Sequence, residues 1–138
     1  MRVAQSRTTE LGVVTIAEEV IATIAGVAAT ECYGLVGMGA RGVQKGLAIF
    51  RRGEDVSRGV EVHLDGEKVT IDLHVVVQYG VNIAQVAHNV MEQVKYAVER
   101  YCGLEVSRVN VHVESVRVDM DGLLPQPGAE RREKSGRR

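Results

Sequence analysis

Histidines and carboxylates recur along three stretches of this sequence that read as strands, and these residue types could bind a metal or transfer protons. In each stretch apolar and polar residues alternate, which is typical of a half-buried strand. Imidazole and carboxylate groups are common ligands of divalent transition metals and common general acids and bases. The polar positions are Glu61, His63, Asp72, His74, His112 and Glu114.

The expected spacing argues against one shared metal site. His63 and His74 fall on strands predicted to be neighbours, which lie about 4.8 Å apart at best. In a ferredoxin-like strand order His112 lies two strands from His74, roughly 10 Å away by the same spacing. Zinc ligands must converge to about 2 Å from the ion. We therefore expect a solvated face of cross-strand polar pairs, with no metal and no other cofactor.

Catalysis is not predicted at these residues either. A general acid or base needs a pocket and a positioned partner, and a flat exposed sheet face is a poor pocket. The chain also contains no Gly-x-Ser-x-Gly nucleophile signature. The sequence thus predicts no catalytic residues and a protein that is not an enzyme.

A glycine-rich segment, residues 34–59, contains a match to the phosphate-binding pattern Gly-x-Gly-x-x-Gly at Gly37, Gly39 and Gly42. Here the pattern follows a predicted helix rather than a strand, and no acidic residue stands where a ribose contact is expected. We interpret the segment as a connector whose glycines permit unusual backbone angles. A small-ligand pocket beneath residues 37–59 is the alternative.

Composition and hydropathy limit the kinds of partner and the cellular location that we expect. The net charge is −1 and only 4% of residues are aromatic, and the open positions Thr70, Asp72 and His74 offer no ring for stacking on bases. No apolar run approaches the roughly 20 residues that span a bilayer, and the first ten residues lack the apolar stretch of a signal peptide. We expect a cytoplasmic protein that does not bind nucleic acid through its folded core, with Cys32 and Cys102 as free thiols.

Local patterns predict the elements that must position these side chains. A short strand over 12–16 precedes a helix over 17–32, with Thr15 and Glu18 as a capping box. A hairpin turns at Asp65-Gly66, and a second helix begins at Asn82 and ends at Gly103. A last strand covers 109–113. The order β-α-β-β-α-β predicts an α+β two-layer domain, with a four-stranded mixed sheet and two helices on one face in a ferredoxin-like arrangement.

The predicted domain covers residues 11–118. The polar residues 1–10 are expected to be flexible, and the polar, basic residues 119–138 are expected to be disordered.

The first helix has an unusual second face. Its main apolar stripe contains Val20, Ile21, Ile24, Val27 and Ala28. The small residues Ala22, Thr23, Ala25, Gly26 and Ala29 cover the other side. A helix that is apolar or small nearly all round is usually buried on more than one side. We therefore predict that the small-residue face and the glycine-rich segment contact a partner or a second copy of the chain. The candidate contact residues are Ala22, Gly26, Ala29, Gly37, Met38, Phe50, Arg51 and Arg52.

Several segments together resemble the alkaline shock protein family, also called the envelope stress response family of Gram-positive bacteria. The more specific ones are the run Asp72-Leu-His-Val-Val-Val-Gln-Tyr-Gly-Val-Asn82 and the strand Val109-Asn-Val-His-Val113. Gly12-Val-Val-Thr-Ile-Ala-Glu-Glu-Val20 adds to the match, which covers roughly residues 11–118.

The resemblance implies a cytoplasmic protein without known enzymatic activity and without catalytic residues to transfer. Some relatives reach the membrane through a membrane-embedded partner and help to maintain the envelope under stress. Others are shorter and are associated with a kinase of the dihydroxyacetone or fatty-acid type. The short termini of this chain resemble those of the shorter relatives. The expected role is that of an adaptor or scaffold; a regulatory small-ligand domain associated with such a kinase is the alternative.

Overall fold

The structure, a computed structural model, describes residues 2–39 and 56–118. The predicted α+β class, the four-stranded mixed sheet and the two helices are confirmed. The elements are β1 Val3–Thr9, β2 Gly12–Ala17, α1 Glu18–Thr30, β3 Leu35–Met38, a 3₁₀ turn Val56–Gly59, β4 Val60–Asp65, β5 Lys68–Gln78, α2 Ile83–Cys102 and β6 Glu105–Arg117.

Strand β5 is the centre of the sheet. On one edge it pairs antiparallel with β4 along residues 68–73 and with β3 along residues 75–77. On the other edge it pairs parallel with β6 along its whole length. Its apolar positions alternate with polar ones and are almost completely buried, which places them toward the helices. These positions are Val69, Ile71, Leu73, Val75 and Val77.

Strands β3 and β4 meet at one point of β5, opposite His74. The Gly39 amide donates to the His74 carbonyl at 2.6 Å. A Cβ on Gly59 would lie 2.7 Å from the same carbonyl oxygen and 3.2 Å from the Gly39 nitrogen. Both strand ends therefore crowd one carbonyl, and a side chain at Gly59 would not fit. Of the glycine-rich segment, residues 40–55 lie outside the described part of the chain.

Helix α2 forms as the sequence predicts. The Asn82 side chain accepts a hydrogen bond from the Gln85 amide at 3.0 Å, and Gly103 ends the helix with a left-handed backbone at φ 71°. Its apolar face is buried in the same core as β5. Caps at both ends fix the length of the helix, so the chain returns to the sheet at β6.

Helix α1 begins at Glu18, one residue after the predicted start, but the predicted capping box of Thr15 and Glu18 is wrong. Strand β2 continues to Ala17, which occupies the N-cap position without a side-chain hydrogen bond. Thr15 is held opposite Ser6 in the β1–β2 ladder, so it is too far back to cap the helix. The Glu18 amide instead donates to the carbonyl of Arg2 at 2.8 Å.

The orientation of α1 also differs from the prediction. The small-residue face is buried, with Ala25 and Ala29 fully inaccessible, and Ile21 of the predicted apolar stripe is fully buried as well. This side of the helix packs against α2, the 3₁₀ turn and β4. Val20 and Val27, placed in the core by the sequence pattern, are 46% and 42% exposed. A Cβ on Gly26 would lie 2.5 Å from the Val56 carbonyl oxygen. The 3₁₀ turn lies so close to the helix that only small residues fit between them.

The N-terminus, expected to be flexible, is also different from the prediction. Residues 3–9 form β1, which pairs antiparallel with β2 in a separate two-stranded sheet. Only Ala4 of this strand is buried, so the sequence lacks the apolar alternation that would reveal it. Because β2 pairs with β1, it does not join the main sheet, where β3 supplies the fourth strand.

We expect Gly26→Ala to lower the free energy of unfolding by about 1–2 kcal/mol, because the clash with Val56 outweighs the better helix propensity of alanine. Gly37→Ala is the matched control: a Cβ there would meet no atom within 4 Å, so its stability should change by less than about 0.5 kcal/mol. Urea unfolding followed by circular dichroism measures both. Equal stability of Gly26→Ala and the wild type would show that α1 does not pack on the 3₁₀ turn in this way.

Candidate functional site

The face of the sheet opposite the helices carries the polar side chains of β4, β5 and β6. They alternate with the core positions, so all of them point away from the helices. We call this set the histidine face: Glu61, His63, Asp72, His74, Asn110, His112 and Glu114.

His112 lies beside His74, and the predicted separation of two strands is wrong. The two residues are direct partners in the parallel β5–β6 ladder, and their rings stack with centroids 4.8 Å apart and an interplanar angle of 17°. In the expected order the first predicted strand stood between them. That strand is β2, which pairs with β1 instead, so β6 lies directly against β5.

Asp72 connects all three strands. Its Oδ1 accepts a 2.8 Å hydrogen bond from Asn110 Nδ2 and lies 3.3 Å from His112 Nε2. Its Oδ2 lies 2.9 Å from His63 Nε2. Partial burial acts to raise the pKa of Asp72, but the hydrogen bonds of Asn110 and His112 and the nearby histidine charges outweigh it and lower the pKa. Asp72 is therefore an ionised carboxylate at neutral pH.

His74 is the buried member of the face, with 4% of its surface exposed. Its Nδ1 lies 2.8 Å from Glu114 Oε2, yet neither ring nitrogen makes a hydrogen bond with acceptable angles. The 2.8 Å contact is therefore close but does not have the geometry of a directed hydrogen bond. Nε2 faces Glu61 Oε1 at 3.9 Å, which is beyond hydrogen-bond length. Glu114 reaches His74 because it is the extra residue where the β5–β6 register shifts.

Three groups of the histidine face converge on one point. Ligand atoms of Glu61, His63 and Asp72 all lie within 4.8 Å of one another. The sequence analysis identified these residue types, but the prediction used only the lateral spacing of the histidines. In the structure His63 leans along the strands toward Asp72, which lies opposite Glu61 in the ladder.

A second surface lies on the outer side of α1. Val20, Ile24 and Val27 are spaced by four and three residues, so they form one stripe along the helix. A groove of about 520 Å³ runs beside this stripe. We call these three residues the aliphatic stripe. Val13 and Val14 of the β1–β2 hairpin are also exposed. The groove is lined by Arg2, Ala17, Glu19, Val20, Thr23 and Ile24.

The predicted contact residues do not form one accessible surface. Ala22, Gly26 and Ala29 are buried inside the domain. Gly37 and Met38 are half-buried in β3. The remaining predicted contacts, Phe50, Arg51 and Arg52, lie outside the described residues. The aliphatic stripe was not predicted from the sequence, because the large apolar residues of α1 were expected to face the core and its small residues to face a partner.

The cysteines are free and half-buried. Burial raises the pKa of both the Cys32 and the Cys102 thiol, and Glu31 raises that of Cys32 further. Thiolate is the nucleophilic form of cysteine, so neither residue is activated for nucleophilic chemistry.

Within the described residues, no helix has the length and apolar character needed to cross a membrane.

Comparison with known proteins places this chain beside bacterial proteins of one family. Residues 6–118 match the alkaline shock protein 23 family, described as having a cell envelope-related function. The uncharacterized protein YloU of Bacillus subtilis is 47% identical over 80% of this chain and 92% of its own length. The uncharacterized protein Spy1614 of Streptococcus pyogenes is 34% identical over the same shares. YqhY of Bacillus subtilis, also uncharacterized, is 37% identical over 80% of this chain and 82% of its own.

Solved structures offer a more distant likeness. A MamM C-terminal domain aligns with 70% of this chain and 96% of its own, at 18% identity and a TM-score of 0.43. This likeness concerns the course of the chain and carries no conclusion about function.

Because the pKa of Asp72 is lowered in the folded protein, its carboxylate stabilises the fold above its unfolded pKa of about 3.9, and this stabilisation is lost as pH falls through the lower folded pKa. We expect Asp72→Asn to reduce stability at pH 7 and to flatten the decrease in stability below about pH 4. Urea unfolding between pH 2.5 and 7 measures both, with Asp65→Asn, at the exposed end of β4, as the control. An acid decrease identical to that of the wild type would contradict the network around Asp72.

Proposed function

Because the chain belongs to the alkaline shock protein 23 family, whose function is related to the cell envelope, we propose that it is a non-enzymatic adaptor that acts by binding another protein. The observation that carries this proposal is the aliphatic stripe of α1. A helix normally turns its large aliphatic residues inward. This helix buries Ile21 together with small residues, yet it leaves Val20 and Val27 in contact with water.

The form of the surface favours a protein segment as its occupant. Small molecules usually bind in cavities that enclose most of their surface, whereas the groove beside the stripe lies open along the helix. An aliphatic stripe of residues at i, i+4 and i+7 is the surface against which a second helix packs. We propose that the partner presents a helix with an apolar face to this stripe.

Charged groups border the stripe and would set the orientation of such a helix. Arg2 and Glu19 line the groove, and Arg2 Nη2 lies 3.3 Å from Glu18 Oε2. An apolar centre with a polar border is the usual anatomy of a protein interface. The proposed location is the cytoplasm, where the chain reaches the envelope through its partner.

The sequence-based alternative, a small-ligand domain beneath residues 37–59, concerns mainly residues outside the described part of the chain. The groove beside the aliphatic stripe does not include residues 37–59; a second open groove, of about 580 Å³, has Ser57 among its lining residues. We therefore retain the adaptor as the proposed function.

Site-specific photo-crosslinking tests the proposal. This chain is expressed in Bacillus subtilis lacking YloU, with a photo-crosslinking amino acid at one chosen position. A crosslinking residue at position 20 or 27 is expected to give one discrete product with an envelope-associated protein, identified by mass spectrometry. A crosslinker at position 96 is the control, because Tyr96 is exposed on the other helix. In a second arm Val20→Glu should abolish the product formed from position 27 while changing stability by less than about 0.5 kcal/mol.

Equal products from positions 20 and 96 would contradict the proposed surface. A product that contains only two copies of this chain would replace the adaptor with self-association.

A further inference from the structure

The distances at one end of the histidine face fit a metal site. His63 Nε2 lies 2.9 Å from Asp72 Oδ2 and 3.9 Å from Glu61 Oε1. Ligands about 2.0–2.2 Å from a tetrahedral zinc ion are about 3.4 Å from one another. These two separations lie on either side of this value, and the ligand atoms of all three residues lie within 4.8 Å of one another. Small rotations of the exposed Glu61 and His63 side chains would bring all three groups onto one ion.

Asp72 is already oriented as a ligand. Asn110 and His112 both contact Oδ1, so Oδ2 is the oxygen that faces His63. Carboxylates that bind metals are usually held by such outer hydrogen bonds, which fix the free oxygen toward the ion.

His74 supplies an independent observation behind the same site. It is buried, lacks a directed hydrogen bond, and its Nε2 points at Glu61 Oε1 from 3.9 Å. Burying a ring nitrogen without a directed hydrogen bond is unfavourable, so a fixed acceptor in front of Nε2 would stabilise it. Drawing the Glu61 carboxylate onto a cation would fix it in front of His74. His74 is then a positioning residue for Glu61, with Glu114 at its other nitrogen.

We propose that Glu61, His63 and Asp72 bind one divalent transition-metal ion of the zinc type, with water completing its coordination. Mixed imidazole and carboxylate ligands suit zinc better than calcium or magnesium, which prefer oxygen alone. The ion would join β4 to β5 through side chains, in addition to their backbone ladder. This site is separate from the aliphatic stripe, so the two proposals stand or fall independently.

Zinc titration by calorimetry on the full chain tests the site, with His88→Ala as the matched control. His88 lies on the exposed face of α2, 3.2 Å from Glu92, and so offers a histidine–carboxylate pair for adventitious binding. The wild type is expected to bind one Zn²⁺ per chain. His63→Ala and Asp72→Asn should each weaken binding by more than ~100-fold, and His74→Ala by ~10-fold, in line with the loss of an outer partner. His88→Ala should bind as the wild type does.

Cobalt substitution gives a second readout. Co²⁺ bound by nitrogen and oxygen ligands should show visible d–d absorption without a thiolate charge-transfer band, which excludes Cys32 and Cys102 as ligands. Circular dichroism establishes that each variant is folded; His63 is exposed, so its replacement should leave the fold intact. The proposal is overturned if the wild type binds no zinc, if folded His63→Ala and Asp72→Asn both keep wild-type affinity, or if His88→Ala weakens binding as much as His63→Ala.

Discussion

The pairing of β5 on both of its edges is the constraint on which the rest of the structure depends. A strand with neighbours on both sides satisfies its backbone hydrogen bonds internally, so its side chains can be divided strictly between two faces. The apolar set faces α1 and α2 and forms the centre of the core. The polar set, with Asp72 and His74, faces the other way. Because β6 is parallel to β5, the chain must cross over between them, and α2 is that crossover.

The same pairing explains why the histidine face is a network rather than a row of solvated side chains. Parallel pairing of β5 with β6 places His74 beside His112 and Asp72 beside Asn110. Antiparallel pairing with β4 places Asp72 opposite Glu61. Asp72 therefore lies between two strands and interacts with side chains from both. The burial of His74 between Glu61 and Glu114 has the same origin, with the register shift of β6 bringing Glu114 into range.

Local signals predicted the parts of the fold that depend on local physics. Asn82 and Gly103 bound α2 because capping hydrogen bonds and a left-handed residue act within one turn of chain. The predicted hairpin of β4 and β5 also forms, although its turn residues are Gly66 and Glu67, one position beyond the predicted Asp65-Gly66, because Asp65 pairs with Lys68 in the ladder. Thr15 carried a similar capping signal, yet the β1–β2 ladder held it in a strand. The helix-capping preference of Thr15 was overridden there by the pairing of β2 with β1. Strand β1 was not predicted because only one of its residues, Ala4, is buried.

Long-range relations could not be read from the pattern. Strand order decides whether His112 lies beside His74, and alternation alone is the same in either order. The orientation of α1 depends on the close approach of Val56 to Gly26, which no periodicity reveals. For the candidate sites, residue type identified the histidines and carboxylates, but their convergence on Asp72 required the fold. Val20 and Val27 were predicted to face the core because they are hydrophobic. The space beneath the helix, which admits only small residues near Val56, is not visible in the sequence.

The parallel register of β6 against β5 is the relation from which the histidine face and the core both follow. Solution NMR of the full chain tests it most directly, through proton–proton contacts across the two strands. We expect contacts between the rings of His74 and His112, together with contacts between Thr70 and Ser107, whose hydroxyl oxygens lie 3.1 Å apart. A folded protein in which His112 shows no contact with β5, or in which another strand lies between them, would contradict this account of the fold.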